Sequence, residues 1–235
     1  MGPTLARNSA SGDPTKGSTI VSFRAADGVQ LNGRLFGNGD VGIVLSHMGD
    51  PENNQADWFS FAQTLASGGF LVLTYDRRGV CPGGSAGCSE GNDYAADAWK
   101  DVIGAVGFLK GKGAARVIAI GASIGAMESL RAAEEPDSRI DGLVWIAGVL
   151  SNGGYEFHQA EVARLSVPTL VISGAGDPIG AFVDAGILYR WLTGPKQLFL
   201  PESHRHGTDM FKAETDPAVV DSLRQTILSW LESIS

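Results

Sequence analysis

Gly121-Ala122-Ser123-Ile124-Gly125 sets a serine between two glycines in a G-x-S-x-G pattern. A serine hydroxyl attacks a carbonyl only when a base takes its proton and a carboxylate steadies that base. The pattern alone is weak evidence, because a chain this rich in Gly and Ser yields roughly 0.4 matches by chance. Gly83-Gly84-Ser85-Ala86-Gly87 and Gly87-Cys88-Ser89-Glu90-Gly91 match as well. Both of those lie in a loop with no strand immediately before and no helix immediately after. Only Ser123 follows a short apolar run, Val117 to Ile120, and precedes a helical period starting at Ile124. That strand–turn–helix setting is what a nucleophile elbow needs. It lifts the hydroxyl to the carboxyl edge of a sheet and offers the amide of Ile124, at a helix start, to a developing oxyanion.

The chain has four histidines. His206, in Glu202-Ser203-His204-Arg205-His206-Gly207-Thr208, is the expected base, since the following Gly frees the backbone to aim the ring. His204 is its rival. His47 ends an early strand and is expected to brace its loop; His158 lies in a loop. Read as a metal site, His204 and His206 lack a third ligand, so neither a metal nor a cofactor is expected. Asp177, in Ser173-Gly174-Ala175-Gly176-Asp177-Pro178, is the expected carboxylate, with Asp184 and Glu202 as weaker alternatives. An N-cap role before Pro178 is its competing explanation. The order Ser123, Asp177, His206 is nucleophile, acid, base. A second oxyanion donor is expected from Ser46-His47-Met48-Gly49-Asp50, at Gly49, with Met48 as its neighbour.

Those groups need elements to carry them. Thr19 to Phe23 and Val29 to Phe36 flank the turn Ala26-Asp27-Gly28, a hairpin signal. Val41 to Leu45, Phe70 to Tyr75, Val117 to Ile120, Leu143 to Ala147, Thr169 to Ile172 and Gln197 to Leu200 are short, nearly continuous apolar runs. Such runs suit strands buried on both faces of a mostly parallel sheet. Between them, helical periods run through Trp58, Phe61 and Leu65; Ala98, Val102, Ala105 and Leu109; Ile124, Met127 and Leu130; and Ile187 to Trp191. The last helix opens with Asp216 as N-cap and Pro217, and buries Val220, Leu223, Ile227, Trp230 and Ile234. Alternation after a hairpin predicts an α/β sheet with helices on both faces.

The 235 residues carry 18 Lys+Arg and 26 Asp+Glu, a net charge of −8. Length predicts one core. The acidic balance without a basic run argues against nucleic acid and anionic membrane surfaces. The longest uncharged stretch, between Asp57 and Asp76, is broken by polar and glycine residues, so no membrane span is expected. Residues 1–17 are small, polar and turn-rich and read as an arm or linker, leaving 18–235 as the folded unit. Cys81 and Cys88 share one loop. Bridged, they point to an oxidising compartment and an exported chain whose leader has been removed; as two thiols they suit the cytoplasm.

Taken together, Leu45-Ser46-His47-Met48-Gly49, Tyr75-Asp76-Arg77-Arg78-Gly79, Gly121-Ala122-Ser123-Ile124-Gly125, Gly174-Ala175-Gly176-Asp177 and His206-Gly207-Thr208 resemble the α/β-hydrolase superfamily, in its dienelactone-hydrolase-like or small-esterase branch. The resemblance runs from about Val21 to the C-terminus. It implies an eight-stranded, mostly parallel sheet and a Ser123-Asp177-His206 triad. It also implies oxyanion amides at Gly49 and Ile124. His47-Met48 departs from the usual His-Gly, and Ser123 stands where dienelactone hydrolases proper carry Cys. Only Gly148 to Leu165 separates two strands where many relatives insert a lid, so no large lid domain is expected. The implied activity is hydrolysis of a small-molecule carboxylic ester with a small or exposed acyl group. Peptidase, thioesterase or acyltransferase chemistry on the same residues, or a silent binding scaffold, are the alternatives.

Overall fold

A computed structural model of the chain describes residues 13–49, 52–81, 87–92 and 96–234. The strands and helices in chain order are β1 (Thr19–Arg24), β2 (Gln30–Phe36), β3 (Val41–Ser46), α1 (Phe59–Ser67), β4 (Leu71–Tyr75), α2 (Trp99–Gly111), β5 (Arg116–Ala122) and α3 (Ile124–Glu134). They continue with β6 (Gly142–Ile146), β7 (Ser151–Asn152), β8 (Tyr155–Glu156), α4 (Gln159–Val162), β9 (Thr169–Ile172), α5 (Ala181–Trp191), β10 (Lys196–Phe199) and α6 (Pro217–Ile234). Eight strands form one sheet in the order β1-β2-β4-β3-β5-β6-β9-β10. β2 runs antiparallel to both β1 and β4, and the remaining pairs are parallel. The fold class expected from the apolar runs is the one observed.

The strands next to the site are apolar on both sides because both faces are covered. Val44, Val117, Ala119, Leu143 and Val171 pack against α2, α3 and α5. Ile43, Leu45, Ile118, Ile120, Val144 and Ile172 pack against α1 and α6 on the other face. Burial of this kind contributes about 25 cal/mol per Å² of apolar surface removed from water. The parallel strands β3, β5, β6 and β9 therefore end together on one edge, and the loops that leave that edge converge.

Boundaries moved by a residue or two. The run Leu143 to Ala147 becomes Gly142–Ile146, because Ala147 turns out of the strand at φ 50°. The last strand starts at Lys196 and stops at Phe199, and the fourth helix reaches back to Ala181. Asp216 caps α6 as expected, its Oδ1 accepting from the amide of Ala218 at 2.8 Å. Between β6 and β9 there is no lid domain but the small hairpin β7–β8 and the short α4. Residues 1–12 of the expected arm lie outside the described residues. Residues 13–17 form a turn that Gln63 holds through the carbonyls of Asp13 and Lys16. Cys81 and Cys88 are bridged.

Candidate active site

Ser123 stands between β5 and α3 at φ 53°, ψ −119°, a backbone region that non-glycine residues avoid. Holding it there costs about 1–3 kcal/mol. The neighbours explain how. A Cβ on Gly125 would lie 2.6 Å from the carbonyl oxygens of both Ser46 and His47, and a Cβ on Gly121 would collide with the backbone of Gly125. The two glycines let α3 press against the end of β3 and force the chain between them into a sharp corner. The Ser123 amide is fixed by the carbonyl of Ile146 at 2.8 Å.

Asp177 and His206 are brought to that corner by backbone pairing. Beyond β9, the amides of Ala175 and Gly176 donate to the carbonyls of Pro201 and Ser203, both at 2.9 Å. This docks the Gly174–Asp177 loop on the loop after β10. His206 then donates from Nδ1 to Asp177 Oδ2 at 2.8 Å, and its Nε2 accepts from Ser123 Oγ at 2.8 Å. The side chain of Asp177 is fully buried and that of His206 mostly so. Asp177 also takes the amide of Ile179 on Oδ1 at 3.0 Å, closing a turn rather than capping a helix, because α5 starts later with Gly180 as its N-cap. Gly207 continues from His206 at φ 52°, and a Cβ there would sit 2.8 Å from Met48 Sδ and 3.6 Å from Ser123 Cβ. Glycine at that position is thus required by both conformation and space.

The other candidates fall elsewhere. His204 is exposed and rests on Gly176, with Nδ1 3.3 Å from its carbonyl oxygen. His158 faces solvent beside Glu156. Asp184 accepts from the amide of Leu150 at 3.1 Å, and Glu202 is exposed. The second G-x-S-x-G serine, Ser89, is buried as a strut, donating to the Asp76 carbonyl and accepting from the Asn32 amide. Most of the first match, Gly83 to Ala86, lies outside the described residues. Among the described residues no group of three His, Cys, Asp or Glu is placed to hold a metal ion.

The loop after β3 is built around His47. The amide of Arg77 donates to its Nε2 at 3.2 Å, so the ring proton is on Nδ1, which donates to the Met48 carbonyl at 2.8 Å. Burial, with help from the nearby Arg77 guanidinium, drives the His47 pKa down to about 3, so the ring is neutral. In a trans peptide the N–H points opposite the C=O. Anchoring the Met48 carbonyl on His47 therefore turns the Gly49 amide away from the histidine. Asn53 Nδ2 holds the Gly49 carbonyl at 2.9 Å, and a Cβ on Gly49 would be 3.3 Å from Ile124 Cγ2. Ile124, the first residue of α3, has an amide with no partner inside the helix. Sequence reasoning missed Arg77, whose buried guanidinium donates to Glu128 of α3 at 2.8 Å and locks the β4 loop to the elbow helix. Its signals were the charged doublet Arg77-Arg78 after a fully buried strand and its place in Tyr75-Asp76-Arg77-Arg78-Gly79.

Residues 42–157 match a family model described as the alpha/beta hydrolase fold. An esterase from Pyrococcus furiosus superposes with a TM-score of 0.76 at 16% identity, over 99% of this chain and 99% of that one. An enol-lactonase from Burkholderia xenovorans gives 0.70 at 18% identity, over 89% and 99%. A hydrolase from Pseudomonas aeruginosa gives 0.70 at 18%, over 91% and 98%. No curated protein matches. The eight-stranded sheet, the elbow at its carboxyl edge and the family model agree on one architecture: this chain has the α/β-hydrolase fold.

Proposed function

We propose that the protein is a serine hydrolase of carboxylic esters in which Ser123 is the nucleophile, His206 the base and Asp177 the orienting acid. The observation that carries this reading is the unbroken pair of 2.8 Å contacts from Ser123 Oγ through His206 to Asp177. His206 takes the hydroxyl proton as Oγ attacks the ester carbonyl. The amides of Ile124 and Gly49 hold the tetrahedral oxyanion, each donor typically worth about 3 kcal/mol. Asp177 keeps the imidazole in the tautomer whose Nε2 is free to accept and stabilises the imidazolium that forms. His206 then protonates the departing alcohol, and a water deprotonated by the same ring clears the acyl-enzyme. Esters are the favoured bond class because structural neighbours at full length include an esterase and an enol-lactonase. The short β7–β8 hairpin in place of a lid domain favours small or exposed acyl groups.

The test is covalent labelling. A fluorophosphonate probe should modify Ser123 in the wild-type chain, and Ser123→Ala should lose labelling and at least about 10⁴-fold in ester turnover while keeping its fold. A folded wild-type chain that neither takes the probe nor cleaves p-nitrophenyl esters would overturn the proposal.

A further inference from the structure

Among the described residues five large hydrophobic side chains are well exposed: Ile20, Ile179, Phe182, Val183 and Leu200. Single exposed apolar residues are ordinary. Here three of the five lie within one five-residue stretch, with Ile179 59%, Phe182 37% and Val183 55% exposed. That stretch begins two residues after Asp177. The backbone of Ile179 is held by the same carboxylate that holds His206, through its amide on Asp177 Oδ1 at 3.0 Å. Gly180, at φ 79°, turns the chain into α5, whose first turn carries Phe182 and Val183. The next residue, Asp184, takes the amide of Leu150, tying that turn to the loop after β6. The trio thus stands on the carboxyl edge that also carries Ser123, attached to the acid of the triad. Exposed apolar side chains clustered at one turn beside a reactive hydroxyl point to contact with something apolar.

We infer that Ile179, Phe182 and Val183 form the recognition surface for an apolar part of the ester substrate, a short-to-medium alkyl or aryl group lying on an open rim. This rests on the ester-hydrolase reading above and names its substrate class. Three side chains fall far short of the roughly 800 Å² per partner that a stable dimer buries. A net charge of −8 opposes docking on an anionic lipid surface. An apolar group of a few carbons attached to the scissile ester matches three side chains joined to the triad through Asp177.

The experiment compares kcat/KM for p-nitrophenyl acetate and hexanoate in the full chain and in Phe182→Ser, Val183→Ser and the double variant. The wild type should prefer hexanoate. In the double variant the hexanoate value should fall about ten-fold, mostly through KM, with acetate within about two-fold of wild type. An unchanged hexanoate-to-acetate ratio, or an equal fall for both esters, overturns the inference. So does a wild-type dimer that the double variant disperses in sedimentation, which assigns the patch to a second copy. Binding to neutral phosphatidylcholine vesicles that the double variant abolishes overturns it in favour of a lipid surface. A wild type that cleaves neither ester brings down the hydrolase reading and this surface with it. A wild type that cleaves both, with a ratio indifferent to the substitutions, brings down the surface alone.

Discussion

Asp177 serves two groups at once, with Oδ2 on His206 and Oδ1 on the Ile179 amide. An amide side chain of the same shape keeps one of these contacts and spoils the other. Asp177→Asn should therefore fold with little change in melting temperature and lose about 10³–10⁴-fold in ester turnover, read as kcat by steady-state kinetics. Asp177, His206 and Ser123 were legible in the sequence because each follows a strand run and their order fits one arrangement. His47 was legible as a brace but not in its protonation, which is set by an amide 30 positions away. The buried partner of Arg77 and the exposed trio around the start of α5 were not legible. Nothing local tells whether a charge is buried opposite another, or whether an apolar helical residue finds a neighbour to cover it.

The elbow works through the close approach of α3 to the end of β3. Gly125→Ala puts a methyl group against two carbonyl oxygens at 2.6 Å, and these belong to backbone that cannot swing aside. It should lower the unfolding free energy by about 1–3 kcal/mol, measured from the denaturant midpoint, and weaken probe labelling of Ser123. Gly107, on the exposed face of α2, meets nothing within 4 Å and makes the control. Gly107→Ala should stabilise the helix by about 0.5–1 kcal/mol. Apolar period and flanking glycines were enough to read α3, β5 and the turn between them. The β7–β8 hairpin escaped because its strands are only two residues each, too short to leave an alternation.

Two groups withdrawn from water, His47 fully and Glu134 partly, oppose each other as pH changes across the whole molecule. Burial raises the Glu134 pKa from 4.5 to about 7, against the pull of Arg131 at 2.8 Å. Below pH 4.5 both states hold that proton; above it the unfolded chain releases the proton first, so stability from this group falls as pH rises toward 7. His47 is neutral when folded, so its contribution is lost in the other direction, as pH falls from 6.5 toward 3. Glu134→Gln removes only the first effect. Relative to wild type, the variant should gain on the order of 2 kcal/mol between about pH 5 and about pH 8, measured by urea unfolding at both values. The loops that meet at Ser123 leave four different strands, and Ser123 and His206 are 83 positions apart. No short fragment can hold the arrangement, and the chain must close long-range pairings before any ester turnover begins. Recovery of turnover during renaturation should then lag the return of helical signal, which makes catalysis itself the last reporter of a finished molecule.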